Sequence, residues 1–302
     1  MRVTNKIIQN RLLRNLQKAR DNLSKSQERI STSKNISRAS DDPTGFMRIM
    51  NLHRDLYRIR QTVRNAKNVS INLAQIDSAL EQTNNIMVDV STEATRMSSD
   101  TVGADERLAI SKDIQFMIDD IFQKANTKFG GQYIFGGHKI FTQPYQIIDD
   151  GGADDGKIDY FGDEELVEQR IELNGSMVVN IPGSDIFGTK DSGIFKILAD
   201  LKTALENNDV EGIQDSLPLI DAEMDRITAV RGEVGVKIKR VEASIDELST
   251  IEPQLVNDLT QIEDTNITME AGIYMATQEA YQATLEATGS TLRLPKLIDF
   301  LR

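Results

Sequence analysis

The sequence predicts a mainly α-helical protein with a small β insert, in which both chain termini contribute to a long coiled-coil-like helix bundle. Three observations support this prediction. Apolar residues recur at alternating spacings of three and four from residue 217 to 301, which is the coiled-coil pattern. Twelve of the nineteen glycines lie within residues 130–193. Only 5% of the residues are aromatic and tryptophan is absent, which is sparse for a globular core and typical of long helical assemblies.

The N-terminal segment, residues 1–40, is predicted to be a basic helical arm. Residues 1–38 hold ten Lys or Arg side chains and two acids, and a weak apolar stripe repeats at helical spacing. A narrow stripe buries little area, so we expect the arm to be marginal or disordered in the monomer until it packs on a partner. The residues predicted to form the contact are Leu12, Leu16, Ala19, Leu23 and Ile30.

The stretch SDDPTG, residues 40–45, separates this arm from the next helix. Asp42 before Pro43 fits an N-cap followed by proline at the first helical position. Adjacent aspartates could also be metal ligands or half of an acid/base pair, but the nearest histidine, His53, is about three turns farther up the helix. We therefore predict a joint between the arm and the next domain, formed by Asp41, Asp42, Pro43 and Gly45.

Residues 41–139 and 194–264 are predicted to form a bundle of long helices. Nine of the ten positions at alternating three- and four-residue spacing between residues 66 and 97 are apolar, enough for a rod of about 50 Å. A broader apolar stripe predicts a further helix over about 105–129. Because proline cannot donate a helical hydrogen bond, Pro253 is expected to kink or break its helix near residue 252.

Residues 140–193 are predicted to form an acidic, β-rich inserted domain. The runs QYIF, YQII, RIEL and MVVNI, the first of them just before the insert, have strand composition, and glycine pairs mark turns near them. Residues 140–192 hold twelve acids and three bases. The stretch DDGGADDGKID, residues 149–159, lacks the spacing of an EF-hand loop. A solvated acidic loop is the preferred interpretation, with a weak calcium site as the alternative.

The C-terminal segment, residues 265–302, is predicted to be the second arm. Six acids and three bases in the last forty residues make it a suitable partner for the basic N-terminal arm, although exposed ion pairs contribute little individually. Its seam is dominated by alanine, which lets helices approach closely. The predicted contact residues are Ile273, Ala276, Ala280, Ala283, Ala287, Leu294, Leu297 and Leu301.

Composition and motifs argue against several classes of protein. The net charge of -12 disfavours nucleic acid as the main partner, and the absence of cysteine excludes disulfides and thiolate chemistry. No apolar run approaches 18 residues, so membrane insertion is not expected. The nucleophile-elbow, P-loop and dinucleotide-binding motifs are absent. We therefore predict a protein that is not an enzyme and that needs no metal or other cofactor.

Several stretches resemble a known family. NLSKSQERISTSKNISRASDDPTG, residues 22–45, is similar to the N-terminal signature of the flagellin superfamily. The proline in DDPTG, the short chain and GGQYIFGGHK at residues 130–139 resemble the hook–filament junction branch of that family more than flagellin itself. VRGEVGVKIKRVE at 230–242 and LPKLIDFL at 294–301 are similar to the C-terminal pattern. ISTSK stands where the family has LSTG, which affects the expected shape of the arm but not its pairing.

The resemblance implies flagellin-like nested domains and a structural adaptor at the junction of the bacterial flagellar hook and filament. It further implies secretion by the flagellar type III export apparatus with a dedicated chaperone, and self-assembly into a ring. The implied neighbours are flagellin and the other hook-associated junction protein. Three alternatives stay open: flagellin itself, a secreted helical enzyme or adhesin whose β insert binds a ligand, and an intracellular coiled-coil signalling protein.

Overall fold

A computed structural model describes residues 2–148, 156–173 and 175–293. The described residues form seven α-helices and six short β-strands, which confirms the predicted fold class. In chain order the elements are α1 (Arg2–Thr32), α2 (Pro43–Met97), α3 (Ala104–Ala125), β1 (Lys128–Phe129), β2 (Gln132–Tyr133), β3 (Tyr145–Ile147), β4 (Ile158–Tyr160), β5 (Glu168–Arg170), β6 (Ser176–Val178), α4 (Ser184–Phe187), α5 (Ile194–Glu206), α6 (Val210–Glu263) and α7 (Ile267–Arg293).

The chain divides into two compact units. Unit 1 consists of residues 1–58 and 251–302, and unit 2 of residues 59–250. Residues 140–193, predicted to be a separate insert, fall within unit 2. The division into arms, helix bundle and insert at residues 40, 139, 193 and 264 therefore stays a prediction about how the chain is organised.

Unit 2 has a continuous apolar core built on the predicted helical stripes. All ten positions predicted along α2 are buried, and α6 buries an apolar residue once every seven residues over most of its length, as the coiled-coil pattern requires. The guanidinium Nε of Arg231 on α6 lies 3.1 Å from Oδ1 of Asp77 on α2. The buried α2 and α6 positions are Ala66, Val69, Leu73, Ile76, Leu80, Thr83, Met87, Val90, Ala94, Met97, Ile213, Ile220, Ile227, Val234, Val241 and Leu248.

Helix α6 contradicts one prediction, because it continues without a break from Val210 to Glu263. It contains Pro218 and Pro253 as well as Gly232 and Gly235. A proline in a helix interior removes one hydrogen bond and costs about 3 kcal/mol. Of the two predicted outcomes at Pro253, the break does not occur, because that cost is small beside the packing of a 54-residue helix. The other outcome, a kink near residue 252, stays a prediction.

The β region of unit 2 consists of three separate two-stranded antiparallel sheets, formed by β1 with β2, β3 with β4, and β5 with β6. Gly130 and Gly131, with φ values of 58° and 84°, form the turn between β1 and β2. Four aromatic rings pack against one another in the core beneath these sheets, with adjacent centroids 5.2–6.2 Å apart. They belong to Phe135, Tyr145, Phe187 and Phe195.

Candidate assembly interface

The terminal helices α1 and α7 pack along each other within unit 1. The face of α1 in this contact is the predicted one, since its five predicted residues are half-buried. Ser26, which falls in the same stripe, is fully buried. The described side chains of α1, residues 6–32, include no buried apolar side chain, so this helix contributes little to a core of its own. The half-buried residues are Leu12, Leu16, Ala19, Leu23 and Ile30.

Helix α7 turns a different face inward from the one predicted. The inward stripe of α7 consists of Glu270, Tyr274, Thr277, Tyr281, Thr284 and Thr288, and Ala271 and Gly289 beside it are also partly buried. The residues predicted to pack on α1, namely Ile273, Ala276, Ala280, Ala283 and Ala287, are exposed. From Tyr274 onward, each inward residue follows a predicted one by a single position, a rotation of about 100°. The prediction that the alanine seam covers α1 of the same chain is therefore wrong.

The rotation of α7 has a physical reason. Two tyrosine rings bury more apolar area against α1 than alanine methyl groups can, so the tyrosine and threonine face is favoured inside one chain. The exposed alanine stripe leaves a smooth helix surface, and its role as an assembly contact stays a prediction. The predicted contact residues Leu294, Leu297 and Leu301 lie outside the described residues.

A buried carboxylate links the C-terminal part of α1 to the start of α7. Glu270 is buried and its Oε1 accepts a hydrogen bond of 2.8 Å from the hydroxyl of Ser26. Its Oε2 lies 3.9 Å from Nη1 of Arg29 on the next turn of α1. Burying a carboxylate is costly unless it is paired, so these two partners fix the position of α7 along α1.

A second buried carboxylate, that of Glu263, holds the segment after α1. Glu263 accepts hydrogen bonds from Lys34 Nζ and, at 3.1 Å, from His53 Nε2 on α2. The backbone continues the contact, since the Asn35 N–H donates to the Glu263 carbonyl at 2.7 Å and the Thr265 N–H donates to the Ser33 carbonyl at 3.0 Å. These contacts connect the end of α6, the segment after α1 and the third turn of α2.

Sequence reasoning did not identify either carboxylate. Ser26 is a polar residue within the predicted apolar stripe of α1, and its partner Glu270 is 244 positions away in the chain. His53 was considered only as a catalytic candidate, and its partner Glu263 is 210 positions away.

The predicted capping at the SDDPTG stretch is confirmed. Helix α2 begins at Pro43, and the Thr44 N–H donates to Asp42 Oδ1 at 3.0 Å. The preceding turn is closed by Asp41, whose Oδ2 accepts from the Arg38 N–H at 3.1 Å. A Cβ on Gly45 would lie 2.6 Å from Cδ1 of the buried Ile36, so glycine permits this close packing. The role of these residues as a joint between arm and domain stays a prediction.

The described residues were also searched for metal-binding groups, membrane-spanning helices and shifted pKa values. They contain no group of three side chains suited to hold a metal ion, and none of their helices combines the length and apolarity needed to cross a bilayer. Residues 149–155, which form most of the calcium alternative, lie outside the description. The raised pKa values belong to structural groups: burial raises the pKa of Tyr145, whose hydroxyl donates to the Gly188 carbonyl at 2.9 Å.

Comparison with known proteins finds similarity to flagellar proteins. Residues 3–139 match the family of the bacterial flagellin N-terminal helical region. The N-terminal part of the chain is therefore similar to this helical region, and the match spans slightly less than half of the chain. This match confirms the resemblance noted from residues 22–45.

Relatives and solved structures with flagellar names match a larger part of the chain. The chain is 26% identical to flagellar hook-associated protein 3 of Escherichia coli over 323 aligned residues, covering 95% of this chain and 96% of the relative. It is 24% identical to the protein of the same name from Salmonella typhimurium, covering 74% and 75% of the two chains. The crystal structure of FlgL from Xanthomonas campestris superposes with a TM-score of 0.61 at 17% identity, covering 69% of this chain and 99% of that one.

Proposed function

We propose that this chain is a structural adaptor subunit at the junction between the hook and the filament of the bacterial flagellum. The observation that carries the proposal is the alignment with a flagellar hook-associated protein 3 along 95% of this chain and 96% of the relative. The relatives are flagellar structural proteins rather than enzymes, and we propose that this chain likewise has no catalytic activity and requires no cofactor.

The proposed mechanism is mechanical and depends on the terminal helices. Within one chain α7 uses its tyrosine and threonine face, which leaves the predicted alanine stripe free to pack against helices of neighbouring subunits. Small side chains permit close helix approach and the neighbouring subunits supply the remaining buried area. The terminal helices of many copies would then form an inner tube whose packing sets the axial position of each subunit.

The proposed partners are those that a subunit at the hook–filament junction would contact. Copies of this chain form a ring, with the other hook-associated junction protein on one side and flagellin on the other. Marginally stable terminal helices suit passage through the type III export apparatus with an export chaperone, because a chain that must travel unfolded benefits from weak local structure. The proposed location is therefore outside the cell, in the flagellum.

Deletion of either arm tests this function. Variants lacking residues 2–30 or residues 275–302 are expected to keep a folded unit 2, because its core lies within residues 59–250. The variants are expected to be obtained as soluble protein. In cells that lack the native chain they are expected to support no filament growth. Normal filaments and swimming after either deletion would show that the proposal is wrong.

Flagellin is the second candidate, because the matching family is described by the flagellin N-terminal region. The two functions differ in copy number. A junction subunit is expected at a few copies per filament, whereas a flagellin is present at many copies along its whole length. Quantitative mass spectrometry of sheared filaments therefore decides between them, and a large excess of this chain would favour flagellin.

A further inference from the structure

Helix α1 carries a stripe of basic side chains on the side that is turned away from α7. This basic stripe consists of Arg11, Arg14, Lys18 and Lys25, which are exposed and follow one another at helical spacing. At 100° per residue it lies about 130° around the helix from the stripe that packs on α7. Within the described part of the chain, none of these four cations has a carboxylate partner.

Helix α7 carries an acidic stripe on the side that is turned away from α1. This acidic stripe consists of Met275, Glu279, Gln282 and Glu286, all of them exposed. It lies about 150° around α7 from the tyrosine and threonine face, and the alanine stripe lies between the two, about 100° from each. Among the described residues neither Glu279 nor Glu286 has a basic partner.

The packing of α1 on α7 inside one chain leaves these charges unpaired. The sequence predicted that the acidic C-terminal arm would pair with the basic N-terminal arm. The ion pair described between the two helices is instead that of Arg29 with the buried Glu270. Because the basic and acidic stripes lie on the outer sides of one helix pair, they cannot meet within a chain, but they can meet between two copies.

The charges on the two stripes also lie at matching heights. Helices α1 and α7 are antiparallel, and Ser26 lies at the height of Glu270 because its hydroxyl donates to that carboxylate at 2.8 Å. Lys18 comes eight residues before Ser26, so it lies at the height of residue 278, one position from Glu279. One position is a rise of about 1.5 Å, which is within the reach of a lysine side chain.

The same heights match along the rest of the stripes. Arg11 comes fifteen residues before Ser26 and lies at the height of residue 285, one position from Glu286. Asp21, the one acid at the spacing of the basic stripe, meets no other acid. The remaining positions at equal height are Arg14 with Gln282, Asp21 with Met275 and Lys25 with Ala271.

We propose that the basic stripe of α1 in one copy of this chain packs on the acidic stripe of α7 in the next copy, at equal height. Copies related by rotation about an axis along the helices keep their heights, so the contact needs no axial shift. Each copy offers α1 on one side and α7 on the other, and such a heterologous contact can close into a ring. The alanine stripe stays available for other helices.

The charge pattern also allows one competing register. A shift of seven residues, about 10.5 Å, pairs Lys18 with Glu286 and Lys25 with Glu279. This shift would displace every copy along the axis by the same amount, which builds an open helix of subunits rather than a ring. The unshifted register is the one that agrees with a ring, and the two registers bring different residues together.

The absence of native cysteine gives a direct test with purified full-length chains. An Arg14→Cys chain is mixed with a differently tagged Gln282→Cys chain under mild oxidation, and the mixed disulfide dimer is quantified by non-reducing electrophoresis. Disulfide formation traps short-lived contacts, so a weak contact is also recorded. The matched control replaces Arg14→Cys by Asp21→Cys, an exposed position seven residues later on the same side of α1, which reports the shifted register.

We expect mixed dimer for the 14–282 pair and at least about fivefold less for the 21–282 pair. Adding Lys18→Glu to the Arg14→Cys chain should lower the 14–282 yield about threefold, and adding Glu279→Lys to the other chain should restore it. No mixed dimer, an equal or higher yield for the 21–282 pair, or no rescue by the charge reversal would overturn the proposal.

This contact deepens the proposed assembly role and rests on it only in requiring that copies stand side by side. The cross-linking test does not depend on filament growth. If the arm deletions abolish filaments and the 14–282 cross-link does not form, the assembly role stands and this contact is wrong. If the cross-link forms and filaments grow normally after the deletions, the contact stands and the proposed function is wrong.

Discussion

Glu263 illustrates how single residues hold the terminal helices in place. Its carboxylate is buried, while its partners Lys34 and His53 are each about half exposed. If the carboxylate is removed, both partners can turn to water, so the cost is the lost charged hydrogen bonds rather than a stranded buried charge.

We therefore expect Glu263→Ala to weaken docking of α1 by about 1 kcal/mol. The measurement is amide exchange of residues 12–32, which should become about fivefold faster. Asp258→Ala, an acid-to-alanine change at an exposed position five residues earlier on α6, is the matched control and should leave exchange unchanged. Equal effects of the two substitutions would mean that the carboxylate does not hold α1.

Ionisation of Tyr160 is expected to destabilise unit 2 at alkaline pH. Burial raises the pKa of Tyr160 to about 12, and its hydroxyl lies 2.9 Å from the Phe135 carbonyl and 2.8 Å from the Asp163 carbonyl. The pKa of tyrosine in an unfolded chain is about 10. Because the unfolded state releases this proton first, the stabilisation is complete below about pH 10 and is lost as the pH rises towards 12.

The free energy of unfolding should therefore fall steeply between about pH 10 and 11, and less steeply in Tyr160→Phe. Denaturant titrations of both proteins at pH 8, 10 and 11 measure the difference. Tyr145, whose pKa is also raised by burial, remains in the variant and accounts for the residual slope. Parallel pH profiles for the two proteins would show that Tyr160 does not carry the dependence.

At the scale of elements, the buried face of a helix can be predicted when the helix carries a single apolar stripe. The α2 stripe from Ala66 to Met97 was fully predictable because the other faces of the helix are mostly polar, with Ile71 and Val88 as isolated exposed exceptions. In α7 two stripes compete, one of alanine and one of tyrosine and threonine, and the alternating spacing alone selected the wrong one. The apolar area that each face can bury, rather than the periodicity of its residues, decides which face of α7 turns inward.

The β region and the buried carboxylates were predictable only in part. Turns at glycine pairs and strand composition identified short strands, but nothing local shows that they form three separate two-stranded sheets. Glu263 and Glu270 meet partners more than 200 positions away. The SDDPTG cap was predictable because all of its hydrogen bonds are local.

The rotated face of α7 leads to a prediction for that element. Tyr281→Ala removes a half-buried ring from the contact with α1 and is expected to destabilise docking of the arm by about 1–2 kcal/mol. Ala280→Ser, at the exposed neighbouring position, should change it by less than about 0.5 kcal/mol. Protection of α1 amides in the two variants measures the effect, and a larger loss for Ala280→Ser would restore the originally predicted seam.

At the scale of the whole molecule, the core is distributed unequally between the two units. Unit 2 contains a continuous cluster of buried apolar side chains from α2, α3, α5, α6 and the β region. Among the described side chains of α1 and α7, residues 6–32 and 267–290, the only fully buried ones are Ser26, Glu270 and Thr288, all polar. Local stability follows buried apolar contacts, so the terminal helices should open far more often than the core.

This inequality predicts how the free subunit behaves in solution. Amides of α1 and α7 are expected to exchange at least about a hundredfold faster than those of α2 and α6 within residues 66–97 and 213–248, a difference of about 2.7 kcal/mol in opening free energy. Hydrogen exchange with mass spectrometry on dilute monomer measures both sets at once. Packing against neighbouring subunits should then protect the arms, because it covers the exposed face of α7. Equal protection of arms and core in the monomer would contradict folding on assembly, since arms already stable alone would gain no structure from their neighbours.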